Sequence, residues 1–197
     1  MKAISQLLIV AFYTVFVQNL VLSLGLGMSE AIRISAKPGT FGKLAVMISG
    51  FSVLTSAACG LIDMIPVLSG ISYAMRALIY GAVLALTFAV VAAIAKFLFK
   101  ASDKFLSTLG IAALNTLVFA LPHINNHAAY SFTGIIGSGV GAGIAFVLAA
   151  MLVNKGLQLL NENEDIPEVF KGTPAMFFYV AMISLAFAGF SDTNIFG

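Results

Sequence analysis

The sequence predicts an all-α integral membrane protein of six transmembrane helices, arranged as two inverted three-helix repeats with broken half-helices in spans one and four. Three observations lead to this. Of 197 residues, 60% are hydrophobic and only 9% charged, against about 25% charged in soluble domains. Six charge-free windows approach the roughly 20 apolar residues that a helix needs to cross a hydrocarbon core about 30 Å thick. Two of those windows carry amides and glycines where an ordinary span would be continuous helix.

The windows run from Ala3 to Ser29, Leu44 to Ile62, Ala77 to Ala95, Phe105 to Pro122, Ala128 to Val153 and Gly172 to Ser191. They lack the strict alternation of a membrane barrel, and only helices or closed barrels satisfy the backbone in lipid. The first window is too long for a cleavable signal, with only Lys2 before it, and reads as span one. The connection SEAIRISAKPGTFGK, with Pro38, Gly39 and Gly42, reads as a structured loop. Pro66 to Ser72 and His123 to His127 read as short outer turns. The acidic connection after span five, NKGLQLLNENEDIPEVFKG, reads as solvated, with a short amphipathic helix over Val153 to Leu160.

Arg33, Lys37, Lys43, Lys96, Lys100, Lys104, Lys155 and Lys171 flank the connections after spans one, three and five, whereas Lys2 and Arg76 fall on the other side. Cytoplasmic loops carry the excess of Lys and Arg. The expected location is therefore the cytoplasmic membrane, multi-pass, with both termini outside the cytoplasm. The chain divides into 1–100 and 101–197, three spans each. Because three is odd, halves sharing a fold must be inserted with opposite orientation, which is the arrangement that puts sites at the repeat interface near the midplane. Asn19-Leu20-Val21-Leu22 in span one echoes Asn115-Thr116-Leu117-Val118 in span four.

Polar side chains inside a span are candidates for function by default. Gln18 and Asn19 fall in span one, Asn115 and Thr116 in span four. Either they hydrogen-bond between helices, or they satisfy backbone freed at breaks, supplied by Gly25 and Gly27 in span one and more weakly by Gly110 in span four. Asp63, the one acid in a span, and Arg76 stand on either side of a short outer turn, as a salt bridge or as the mouth of a cation path. Gly137 with Gly141 and Gly139 with Gly143 are spaced for close helix packing, or for a substrate-contacting segment. His123 and His127 lack a third metal ligand nearby, and Cys59 reads as a small packing residue. No nucleophile stands beside a base, there is no carboxylate pair and no CxxC, so no catalytic residue and no metal site are assigned. The basic residues form no groove interleaved with aromatics, which argues against nucleic acid.

Two stretches go beyond composition. DIPEVFKGTPAMFFYVAMISLAFAGFS, residues 165 to 191, resembles the D-x-P-x-x-F-[RK]-G and L-x-F-x-x-F-S ending of RnfA and NqrE type membrane subunits. VQNLVLSLGLG, residues 17 to 27, is similar to their first half-helix, and GLID, residues 60 to 63, to the end of their second span. The resemblance implies inverted repeats and a place in an Rnf or Nqr electron-transfer complex. It also implies pairing with a homologous sister subunit, each contributing two cysteines to a shared iron–sulfur cluster. This chain departs from that pattern, with Gly27 and Thr116 at the two cysteine positions and Cys59 in a different span. The expectation is a membrane subunit of an electron-transfer, ion-translocating complex that binds no cofactor by itself and lacks the iron–sulfur cluster. A flavin or quinone on a partner would then carry the electrons. Expected partners are a sister subunit or second copy, a flavin-carrying extracytoplasmic subunit and the lipid bilayer. The alternative is a small-solute or ion transporter or channel on the same scaffold, or a purely structural subunit.

Overall fold

Long apolar runs in lipid can satisfy their backbone only within themselves, which makes helix the default. The computed structural model describes residues 2–35, 38–66 and 70–191, and among them the regular elements are helices. They are α1 (Lys2–Phe16), α2 (Leu20–Leu24), α3 (Met28–Ser35), α4 (Pro38–Asp63), α5 (Tyr73–Phe97), α6 (Asp103–Ala113), α7 (Thr116–His127), α8 (Phe132–Glu162) and α9 (Thr173–Ser191), with a 3-10 turn at Glu168–Phe170. Short polar residues start them: Ser72, Ser102 and Ser131 each accept a hydrogen bond from a backbone N–H three residues on.

Five segments are long and apolar enough to cross a membrane: Lys2–Leu24, Gly42–Asp63, Tyr73–Phe97, Asp103–His127 and Phe132–Glu162. The sixth window forms a shorter apolar helix, over Thr173–Gly189.

The central element is α8, which packs on α1, α4 and α3. Its glycines decide how closely. A Cβ on Gly137 would stand 2.5 Å from the Leu7 carbonyl oxygen, and one on Gly141 2.6 Å from that of Ala11. On the other flank a Cβ on Gly139 would stand 2.8 Å from the Val53 Cα, and one on Gly143 would strike the Ser49 side chain. Two glycine pairs, each four residues apart, thus let two different helices reach the α8 backbone. Across the bundle, α3 packs on α8 as α7 packs on α4, α2 on α9 as α6 on α5, and α4 meets α8.

Several local expectations are corrected. The SEAIRISAKPGTFGK connection is largely helical, as α3 and the start of α4, and residues 36 and 37 lie outside the described residues. The turn expected at His123 to His127 is the end of α7, which continues through Pro122. Neighbouring helices can re-satisfy a carbonyl freed by proline inside a bundle. The amphipathic helix expected at Val153 to Leu160 is the continuation of α8. Span four breaks at Leu114–Asn115 and not at Gly110, which lies inside α6. Span one breaks twice, before Leu20 and again at Gly25–Gly27. Part of the turn from Pro66 to Ser72 lies outside the described residues.

Candidate functional site at the broken helices

Asn19 and Asn115 do the same work at the two interruptions. Each has extended backbone and caps the helix that follows: the Asn19 side chain accepts from Leu22 N at 3.0 Å, and that of Asn115 from Leu117 N at 2.9 Å. Both are buried. Asn19 Nδ2 also donates to the Val15 carbonyl at 3.0 Å, tying α2 back to α1. An amide suits this place because it accepts and donates at once where no water can serve. Gln18 is half-buried, and its backbone N–H donates to the Tyr13 carbonyl at 2.8 Å.

After α2 the chain turns through two left-handed residues, Gly25 at φ +70° and Gly27 at φ +78°. The first closes α2, with Leu26 N donating to the Leu20 carbonyl at 3.1 Å. The second brings the two halves of the chain together, since Gly27 N–H donates to Thr116 Oγ1 at 2.8 Å. The absence of a side chain is required here: a Cβ on Gly27 would lie 2.7 Å from Asn115 Oδ1. Thr116 follows the 11 residues of α6 and opens the 12 of α7, halfway along its segment. The Gly27–Thr116 contact therefore sits near mid-membrane depth. Gly25, Leu24 (63% exposed), Leu114 (78%) and Thr116 open onto the outer surface of the bundle, whereas Gly27 and Asn115 are buried.

A second cluster lies at the far end of α4. Asp63 accepts hydrogen bonds from the Tyr80 hydroxyl and, at 3.1 Å, from Asn126 Nδ2, while Asn126 Oδ1 accepts from Arg76. Asp63 and Arg76 are thus linked through one amide. His123 stacks beside it against Tyr80, with ring centroids 4.7 Å apart. Tyr80 and Asn126 escape a reading of the sequence. Their signal is the lone carboxylate of the span, which needs donors from other helices. Removing the linking amide by Asn126→Leu should lower stability by about 2 kcal/mol, because a partly buried carboxylate loses a donor. Chemical unfolding in mixed micelles checks this, and an unchanged midpoint would refute it.

Between the two clusters α4 presents Ser52, Thr55 and Ser56, all buried, whose hydroxyls make no hydrogen bond among the described residues. Cys59 is buried one turn before Asp63. Among the described residues no group of three His, Cys, Asp or Glu side chains could hold a metal ion.

No family model matches the chain. It is, however, 29% identical over 209 residues to the NqrE subunit of the Na(+)-translocating NADH-quinone reductase of Pseudoalteromonas translucida, covering 92% of this chain and 95% of the relative. It is 26% identical over 194 residues to the RnfA subunit of the Na(+)-translocating ferredoxin:NAD(+) oxidoreductase complex of Acetobacterium woodii, covering 96% and 98%. The chain belongs to the RnfA/NqrE family. Against that family's pattern, the residues at Gly27 and Thr116 do not fit a cluster site. Iron–sulfur clusters are held by thiolates, whereas glycine offers no side-chain donor and the threonine hydroxyl is occupied by the Gly27 N–H. Cys59 sits on α4, away from both breaks in sequence and element.

Proposed function

We propose that this RnfA/NqrE-type chain is a membrane subunit of an Rnf/Nqr-like electron-transfer, ion-translocating complex and carries no iron–sulfur cluster of its own. The observation that carries the reading is the pair of helix breaks facing outward at mid-depth. Irregular backbone at membrane depth is tolerated only where protein or a water-filled cavity covers it. Leu24, Gly25, Leu114 and Thr116 are uncovered within this chain. A second protein surface therefore covers them: a homologous sister subunit, or a second copy. The relatives' names, as subunits of Na(+)-translocating complexes, supply the class of assembly. Electrons then pass through a flavin or quinone held by a partner, such as an extracytoplasmic flavin subunit.

In this reading α9 is the sixth span, the chain sits in the cytoplasmic membrane with both termini outside, and 1–100 and 101–197 are inverted repeats. The exchange of packing partners supports the repeats: α3 with α8 answers α7 with α4. The matched caps Asn19 and Asn115 support them as well.

Purification under anoxia with co-purifying partners, followed by iron, acid-labile sulfide and flavin assays, tests the proposal. The expected result is a flavin-carrying or second membrane partner and no cluster assignable to this chain. A stoichiometric cluster ligated by this chain would overturn it. One observation favours a second reading, an ion or small-solute transporter: the unpaired buried hydroxyls of Ser52, Thr55 and Ser56 lie along α4 between the midplane and Asp63. Sodium-dependent thermal stabilisation of partner-free protein would move the weight to that reading.

A further inference from the structure

At the basic end of the bundle, α3, α4 and α6 enclose a cavity of about 570 Å³ that the electron-transfer reading does not use. Its rim carries three cations from three different helices: Arg33 in the last turn of α3, Lys43 near the start of α4 and Lys104 near the start of α6. No acid lines the cavity, and the nearest described carboxylate partner is Glu30, 3.6 Å from Arg33. Ser102 adds a hydroxyl at the same level. The wall then becomes apolar with depth. Phe105 lies just inside, and Ile111 lies two turns below Lys104, about 10 Å at 1.5 Å rise per residue.

Charge at the entrance and hydrocarbon below match the order of groups along a phospholipid standing in a bilayer. Lys43 and Lys104 are each the second residue of an apolar segment able to cross the membrane, so the cations lie where headgroups lie. A free anion would use the rim and leave the apolar wall unexplained. We propose that this cavity binds an anionic phospholipid, its headgroup phosphate between Arg33, Lys43 and Lys104 and its upper acyl chain against Phe105 and Ile111. Basic pockets between membrane helices are suited to such headgroups, each cation near the surface adding to the attraction.

The test is native mass spectrometry of the full chain in detergent, titrated with phosphatidylglycerol or phosphatidylcholine. Phosphatidylglycerol is expected to bind at least about tenfold more tightly, and K43Q/K104Q to remove that preference. The variant K96Q/K155Q, which removes equal charge outside the cavity, should keep it. Excess inorganic phosphate should not displace the bound lipid. Equal loss of preference in both double variants would overturn the proposal in favour of diffuse surface charge. Retention of the preference in K43Q/K104Q, or displacement by inorganic phosphate, would overturn it equally.

Discussion

Gly141→Val is expected to destabilise the bundle by about 3 kcal/mol, at the upper end of overpacking costs. The reason is what the new atoms would meet. Even a Cβ at this position would come within 2.6 Å of the Ala11 carbonyl oxygen, 2.8 Å of Thr14 Cβ and 3.0 Å of Ala11 Cα. Two of these are backbone atoms in a regular helix and cannot rotate away, so α1 as a whole must move off α8. That movement uncovers the small buried face of α8, which includes Ala142 and Ala145. Unfolding of purified protein by increasing SDS in mixed micelles measures the loss. The comparison is Gly50→Ala on α4, where nothing lies within 4 Å of the added methyl. There alanine should match or exceed glycine by about 0.5 kcal/mol through helix preference alone. Equal stability of Gly141→Val and the parent would mean that α1 and α8 are not in backbone contact.

Gly27→Ala should cost about as much, roughly 3 kcal/mol, by a different combination. A left-handed conformation costs a non-glycine residue about 1–2 kcal/mol, and Gly27 has φ +78°. The methyl would in addition press on Asn115 Oδ1, 2.7 Å away, the atom that caps α7 through Leu117 N. The substitution therefore reaches across the chain to the other break. A double-mutant cycle with Asn115→Ala separates the parts: the steric share should vanish in the double variant while the φ cost remains. The expected coupling is about 1 kcal/mol or more. Additive losses would show that Gly27 and Asn115 do not touch.

The breaks themselves were partly legible in the sequence. Asn19 and Asn115 stand out as amides in apolar windows, and Gly25 with Gly27 as glycines in the first. Gly110 was the misleading signal. A lone glycine inside a helix is tolerated, and its place in α6 beside Phe88 gives it room without a break. The true break at Leu114–Asn115 is carried by the cap, since Asn115 accepts from Leu117 N and so begins a new helix. His123 and His127 show the opposite error, because proline and asparagines suggested a turn that helix packing overrode. The Asp63–Asn126–Arg76 link was half visible, its charged ends from the spacing around one turn and its amide and Tyr80 not at all.

By itself the sequence determined the solvent, the number and length of the apolar segments, the helical class and the absence of thiolates at positions 27 and 116. Each follows from local chemistry: apolar run length against bilayer thickness, backbone polarity against lipid, and the identity of one side chain. Only the tertiary structure decided that Gly27 donates to Thr116, that α8 touches the backbones of two helices through two glycine pairs, and that three cations from three helices line one cavity. Those are contacts between residues far apart in the chain, 89 positions in the case of Gly27 and Thr116. The cause is that helix packing, unlike helix formation, depends on which faces meet, and no single segment's sequence specifies its neighbour.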